Sequence, residues 1–267
     1  MEIRDGDYLR QSAFGDFLQA IESTMTGYDD NQWKSICEKT AARQSRDELL
    51  KPEDRQLFSR IDDFFENAAS VVFSYAIAHP LHDQAENPIA ETHRIVTAKK
   101  LAYLLCPQQA RLRLVDPEFS GDVNAPLSIS NLKRYKALLP DLPVILAVEN
   151  AKESAVVALD LAEKSGTLMA YDEANTFDTS GKSLNPPESF WRAVKMEHLT
   201  SVHIKQQTAG GIASVIGEGY VDFRAILKRL KTAGYAGDLL IENAPTGDPL
   251  QDAVRSREYL ASINEKN

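Results

Sequence analysis

The chain alternates short apolar runs of strand length with longer segments of helical periodicity, and this alternation restricts the fold more than any other feature. Six runs have the length and the aliphatic or β-branched composition of strands. They are residues 71–77, 111–115, 144–149, 168–172, 200–205 and 238–242. Most of the segments between them repeat apolar residues at helical spacing. Strand–helix alternation over this length predicts a parallel α/β sheet.

Four of these runs have a residue that can bind a metal ion at or near their end, namely Glu149, Asp172, His203 and Glu242. In a closed barrel of parallel strands such ends meet on one rim, whereas in an open sheet they are spread along an edge. No Gly-x-Gly-x-x-Gly sequence and no phosphate loop follows a strand, which counts against the nucleotide-binding open sheets. We therefore expect an α/β fold of the TIM-type (β/α) barrel class.

The residue types at these four positions predict a divalent metal site. Three carboxylates and one imidazole suit Mn²⁺, Mg²⁺, Co²⁺ or Zn²⁺, which accept oxygen donors together with a single nitrogen. Each residue alone has an ordinary explanation, because a carboxylate at a strand end often forms a salt bridge and a histidine in an apolar run is often a hydrogen-bonded core residue. The prediction depends on the four residues acting together.

Length and charge limit the class of protein. The 267 residues suit one barrel domain spanning positions 1–267. A net charge of −9 counts against a nucleic-acid partner, which requires a basic surface. The longest apolar run, 71–78, is too short to cross a bilayer, and residues 1–6 lack the chemistry of a signal peptide. We expect no membrane partner and a cytoplasmic location.

Five short segments occur in an order that is typical of one family. They are AVEN (147–150), YDEANTF (171–177), VHIK (202–205), IGEGYVDF (216–223) and LIEN (240–243). Together they resemble the xylose-isomerase-like TIM-barrel superfamily, the sugar phosphate isomerase/epimerase group, over about residues 71–260. The resemblance implies a metal ion at the C-terminal mouth of the barrel, held by Glu149, Asp172, His203 and Glu242.

The beginning of the chain also resembles this family. Residues 2–4, Glu-Ile-Arg, look like its second strand, which implies that the first β/α unit is absent. We expect a barrel that is incomplete at its N-terminus. Its open side would be covered by residues 10–50 or by a neighbouring subunit of a homo-oligomer.

The resemblance implies a metal-dependent isomerase or epimerase acting on a small sugar, keto-sugar or polyol through an enediolate. Glu149 and Glu242 would bind the metal and transfer the proton, and Lys205, Asn175 and His79 would contact the substrate. Two bases on opposite faces of the substrate suit epimerisation, and one base suits aldose–ketose isomerisation. Two alternatives stay open: a dehydratase that uses the same metal, and a degenerate barrel that binds a ligand without turning it over.

Two positions depart from the family pattern. Asn175 stands where the family often has histidine, and Gln206 stands where it often has aspartate. The second departure affects an expected substrate contact more than the metal site. The nearby pair Gly217 and Gly219 is expected to shape a loop, because glycine adopts backbone angles that other residues avoid.

Overall fold

The computed structural model describes most of the chain, in twelve stretches. They are residues 2–5, 20–21, 23–65, 72–76, 81, 87–106, 109–115, 125–151, 154–178, 180–183, 187–244 and 248–264. The chain falls into two compact units, residues 1–117 with 130–147 and residues 118–129 with 148–267. The expectation of one domain over 1–267 stays a prediction.

Helices and strands alternate along the chain. The helices are α1 (Asp30–Ala41), α2 (Arg55–Phe65), α3 (Pro88–Leu105), α4 (Ala125–Ala137), α5 (Ala155–Ser165), α6 (Pro187–Ala193), α7 (Phe223–Thr232) and α8 (Pro249–Asn264). The strands are β1 (Glu2–Asp5), β2 (Val72–Ala76), β3 (Arg111–Val115), β4 (Ile145–Glu149), β5 (Leu168–Asp172), β6 (Leu199–Ile204), β7 (Gln207–Thr208), β8 (Gly211–Ile212) and β9 (Asp238–Ile241). The six strands predicted from apolar runs and the short segment at residues 2–4 are all confirmed.

In the first unit β1, β2 and β3 pair in parallel in that order, and in the second unit β5, β6 and β9 do the same, while β7 and β8 form a separate antiparallel pair. The described residues contain seven strands of four or more residues, one fewer than a complete eight-stranded barrel has. The small β7–β8 hairpin was not predicted, because two-residue strands carry no periodicity.

The first unit contains parallel strands backed by helices. Ile3 pairs with Phe73, which in turn pairs with Leu112. Trp33 of α1 is fully buried and meets the ring of Phe58 edge-on, with 6.0 Å between the ring centroids. This tryptophan is therefore a packing residue of the first unit.

The second unit continues the parallel pattern through β5, β6 and β9. Asp172 pairs with His203, and Ile204 pairs with Ile241. All six residues of β6 are buried, as expected for a parallel strand that is covered on both faces. Parallel pairing brings the carboxyl ends of these strands to the same edge.

Local sequence signals end and start the helices that connect these strands. Gly166 follows α5 in the left-handed conformation, with φ of 71°, and so lets the chain turn directly into β5. The Asp222 carboxylate accepts a hydrogen bond from the Ala225 N–H and caps α7. None of the described helices has the length and apolarity needed to traverse a lipid bilayer.

Candidate metal centre

Strand register brings the predicted metal ligands of the second unit to one place. Asp172 and His203 are direct partners on β5 and β6, so their side chains share a face of the sheet. Glu242 follows β9, and its N–H donates to the carbonyl of Ile204 at 3.0 Å. Since residues two apart in a strand share a face, Glu242 lies on the same side as Leu240, the partner of His203.

The four side chains form one cluster. A ligand atom from each of Glu149, Asp172, His203 and Glu242 lies within 4.8 Å of the other three. The His203 Nδ1 atom is 2.9 Å from a Glu242 oxygen, 3.5 Å from Glu149 Oε1 and 4.0 Å from Asp172 Oδ2. The predicted convergence of these residues is therefore present, and one imidazole nitrogen faces all three carboxylates.

The cluster is buried except on one side. The side chains of Asp172 and His203 are fully buried, and that of Glu149 is 4% exposed. The side chain of Glu242 is 21% exposed, which makes it the most accessible of the four. A small molecule can therefore reach the cluster most directly at Glu242.

Asp172 is the most constrained of the carboxylates. Its backbone N–H donates to Asn150 Oδ1 at 2.8 Å, and its carbonyl accepts from Asn150 Nδ2 at 2.7 Å. Its Oδ1 atom accepts from the Ala174 N–H at 2.9 Å, which fixes the carboxylate plane. Burial, the largest cause, raises the pKa of Asp172, and its neighbours Lys205 and His203 oppose that rise.

Lys205 lies against the cluster rather than apart from it. Its ammonium group forms an ion pair with Asp172 Oδ2 and lies 3.8 Å from Glu242 Oε1. Burial, the largest single cause, lowers the pKa of Lys205, but Asp172, Glu242 and Glu149 together raise it above the ordinary lysine value. The ammonium form is therefore favoured, and its role as a substrate contact stays a prediction.

Of the other two predicted substrate contacts, Asn175 lies among the described residues and His79 does not. Asn175 Nδ2 donates to Glu149 Oε1 at 3.4 Å, so this amide contacts a carboxylate of the cluster. His79 lies outside the described residues, and its contact with substrate stays a prediction.

The donor set fits a divalent cation. Three carboxylate oxygens and one imidazole nitrogen are the donors that Mn²⁺, Mg²⁺, Co²⁺ and Zn²⁺ accept. Three buried or half-buried anions this close together repel one another, so the cluster requires positive charge. Lys205 supplies one positive charge to the cluster, and a divalent ion would supply two more.

A second set of contacts supports β5 from the opposite face of the strand. Tyr171 stacks on Phe190 with 3.9 Å between the ring centroids. The hydroxyl of Tyr171 and the indole N–H of Trp191 both donate to a Glu173 oxygen, each at 2.9 Å. These contacts anchor the strand end that carries Asp172.

Gln206 has a structural task that the sequence did not reveal. Its fully buried amide donates to the carbonyls of Gly217 and Val221 at 2.6 and 3.2 Å, and its oxygen accepts from the Val221 N–H at 3.0 Å. The side chain therefore ties loop 213–221 to the end of β6. A Cβ atom at Gly219 would overlap the Gln206 side chain.

This contact corrects the expected role of the two loop glycines. Neither Gly217 nor Gly219 has a positive φ, so unusual backbone angles are not what requires glycine there. Gly219 is needed because Gln206 fills the space that a larger side chain would occupy. Gly217 has open space at its Cβ position, and nothing in the structure explains it.

Replacing Gln206 by alanine should lower the free energy of unfolding by about 2–4 kcal/mol, because three hydrogen bonds of a buried amide are lost. Urea denaturation measures the change. Gln207→Ala is the matched control, since its amide makes one long hydrogen bond, 3.4 Å to the Thr208 carbonyl. Equal losses in the two variants would contradict the role given to Gln206.

Comparisons by sequence match only part of the chain. No family model matches the chain. An uncharacterised protein of Methanocaldococcus jannaschii is 26% identical over 153 residues, which are 56% of this chain and 47% of that protein. The matched region thus spans about half the length of this curated relative.

Solved structures match over more of the chain. A D-tagatose 3-epimerase-like protein aligns with a TM-score of 0.62 and 18% identity, covering 82% of this chain and 86% of its own. A D-psicose 3-epimerase with D-tagatose from Clostridium cellulolyticum H10 aligns with a TM-score of 0.56 and 11% identity, covering 99% and 95%. A xylose isomerase-like TIM-barrel protein from Mycobacterium smegmatis in complex with magnesium aligns with a TM-score of 0.56 and 12% identity, covering 81% and 79%. These likenesses confirm the predicted α/β TIM-type architecture.

Proposed function

We propose that this chain, which has the xylose-isomerase-like TIM-barrel fold, is a metal-dependent isomerase or epimerase that acts on a small sugar, keto-sugar or polyol. The observation that carries the proposal is the cluster of Glu149, Asp172, His203 and Glu242, whose ligand atoms lie within 4.8 Å of one another. Structures with this fold include named sugar epimerases, and that supports the reaction class.

The four residues of the cluster would hold one divalent ion, Mn²⁺, Mg²⁺, Co²⁺ or Zn²⁺. Their donor types support this, and a protein of the same fold is known in complex with magnesium. A bound divalent ion supplies a Lewis acid that polarises a substrate carbonyl and so acidifies the neighbouring C–H.

Glu149 and Glu242 are the proton-transfer groups of the proposal. Asn175 orients the Glu149 carboxylate, and the His203 imidazole lies 2.9 Å from that of Glu242. Each carboxylate can take a proton from a carbon atom next to a carbonyl and return it. If the two act on opposite faces of the substrate the result is epimerisation, and if one acts alone the result is isomerisation.

The charges of the cluster favour an uncharged substrate over a phosphorylated one. Three carboxylates, the Lys205 ammonium and a divalent cation balance to zero, so no positive charge of the cluster is left over for a phosphate group. Lys205 is already paired with Asp172. One protein of the same fold is known with D-tagatose, a sugar without a phosphate, which supports this assignment.

Solvent isotope exchange tests the proposed function. Protein reloaded with Mn²⁺ would be incubated in D₂O with a panel of unphosphorylated ketoses, and deuterium at carbon would be followed by NMR. We expect incorporation together with a new epimer or isomer. Loss of water from a substrate would favour the dehydratase, and failure of the protein to bind any divalent ion would contradict the proposal. The cytoplasmic location and the homo-oligomer stay predictions.

A further inference from the structure

Lys205 and a divalent ion would need the same oxygen atom of Asp172. The other carboxylate oxygen, Oδ1, is bound by the Ala174 N–H at 2.9 Å. Oδ2 is the oxygen that faces His203 Nδ1, at 4.0 Å, and it is also the oxygen that forms the ion pair with the Lys205 ammonium. Asn150 clamps the backbone of Asp172 from both sides, so the residue cannot easily turn to offer a different oxygen.

Lys205 has a second acceptor within reach. Its ammonium lies 3.8 Å from Glu242 Oε1, and the other oxygen of Glu242 lies on His203 Nδ1. A small movement of a flexible lysine side chain would therefore transfer it from Asp172 to Glu242. Glu242 could meanwhile keep its inner oxygen towards the cluster. Lysine suits such a movement because its ammonium is a point charge on a four-carbon stem with rotatable donors.

We infer that Lys205 competes with the divalent ion for Asp172 Oδ2. Without the ion, Lys205 holds the carboxylate cluster together, and it must leave Asp172 Oδ2 when the ion binds. This inference rests on the proposed function, since it concerns the same site. It assigns Lys205 to the control of metal affinity rather than to contact with the substrate. An ammonium group and a divalent cation that share one carboxylate oxygen repel each other strongly even where the effective dielectric constant is high.

The test compares metal affinity in the 267-residue protein and three variants. Each protein is stripped with chelator, and Mn²⁺ binding is measured by isothermal titration calorimetry. Lys205→Met should bind Mn²⁺ at least about tenfold more tightly than the parent protein, because the repulsion has been removed. Lys205→Gln, whose new side chain is polar but uncharged, should also bind Mn²⁺ more tightly than the parent protein. It replaces Lys205→Met in the test if the methionine variant does not fold. Lys164→Met removes an exposed lysine that pairs with Asp160 and should leave the affinity unchanged.

Thermal unfolding supplies a readout that does not depend on activity. Chelator-treated Lys205→Met should unfold at a lower temperature than the parent, because fully buried Asp172 has lost its ion-pair partner. Added Mn²⁺ should raise the melting temperature of this variant more than that of the parent. If the parent binds Mn²⁺ and the Lys205 variants bind it equally or more weakly, the inference is wrong and the proposed function stands. If neither the parent nor any variant binds Mn²⁺, both are wrong.

Discussion

The His203→Ala protein is expected to bind Mn²⁺ at least about 100-fold more weakly than the parent, a larger effect than that of losing an outer contact to a metal ligand. His203 provides the single nitrogen of the cluster, and its Nδ1 atom lies 2.9–4.0 Å from an oxygen of each carboxylate. Without it, three carboxylates must bind the ion alone, and the site loses the donor that favours Mn²⁺, Co²⁺ or Zn²⁺ over Mg²⁺. Calorimetric titration of the chelator-stripped protein measures the change.

His198→Ala is the matched control for this prediction. His198 lies just before β6, and its Nδ1 atom is 2.8 Å from Glu163 Oε1 rather than near the cluster. The control should keep the parent affinity. Circular dichroism of both variants would verify that each is folded. An unchanged affinity in folded His203→Ala would show that the cluster is not the metal site.

Glu149→Gln and Glu242→Gln are each expected to slow conversion of the ketose substrate by about 100-fold or more at saturating Mn²⁺, because each removes a group that can accept a proton. Saturating Mn²⁺ ensures that a slower conversion rate does not result from weaker metal binding. Glu163→Gln is the control, since that carboxylate pairs with His198 outside the cluster and should not change the rate. NMR would follow both product formation and deuterium uptake from D₂O.

The pattern of deuterium uptake distinguishes the two reactions within the proposal. If each glutamate serves one face, each variant should still exchange deuterium with one epimer while conversion between epimers is lost. If a single glutamate acts as the base, its variant should lose exchange and conversion together. Parent rates in both glutamine variants would rule out carboxylate-mediated proton transfer by this pair.

The sequence was sufficient for the strands and for the convergence of the four ligands. Buried parallel strands are nearly continuous apolar runs, and this property is local to each run. Convergence then follows from barrel topology, because a barrel brings the carboxyl ends of its parallel strands together on one rim. The positions of Glu149, Asp172, His203 and Glu242 needed no knowledge of side-chain packing.

Contacts set by distant segments could not be predicted in the same way. Strand alternation puts Lys205 on the same face as His203, but the pairing of Lys205 with Asp172 rather than Glu242 depends on distances that the pattern does not contain. The task of Gln206 depends on a loop 11 to 15 residues further along the chain. For the same reason the requirement for Gly219 was attributed to backbone angles, when it follows from the volume of a neighbouring side chain.

Because Gln206 would overlap a side chain at position 219, the residue types acceptable at the two positions depend on each other. An aspartate at 206 is one methylene shorter and lacks the amide donors, so it could not reach both carbonyls of the loop but would vacate the space beside Gly219. Replacing Gly219 alone is therefore unfavourable, and so is replacing Gln206 alone, because the loop then loses the hydrogen bonds of the amide. In an alignment of related chains, glutamine at 206 should be accompanied by glycine at 219, whereas chains with a shorter side chain at 206 can carry a larger residue at 219.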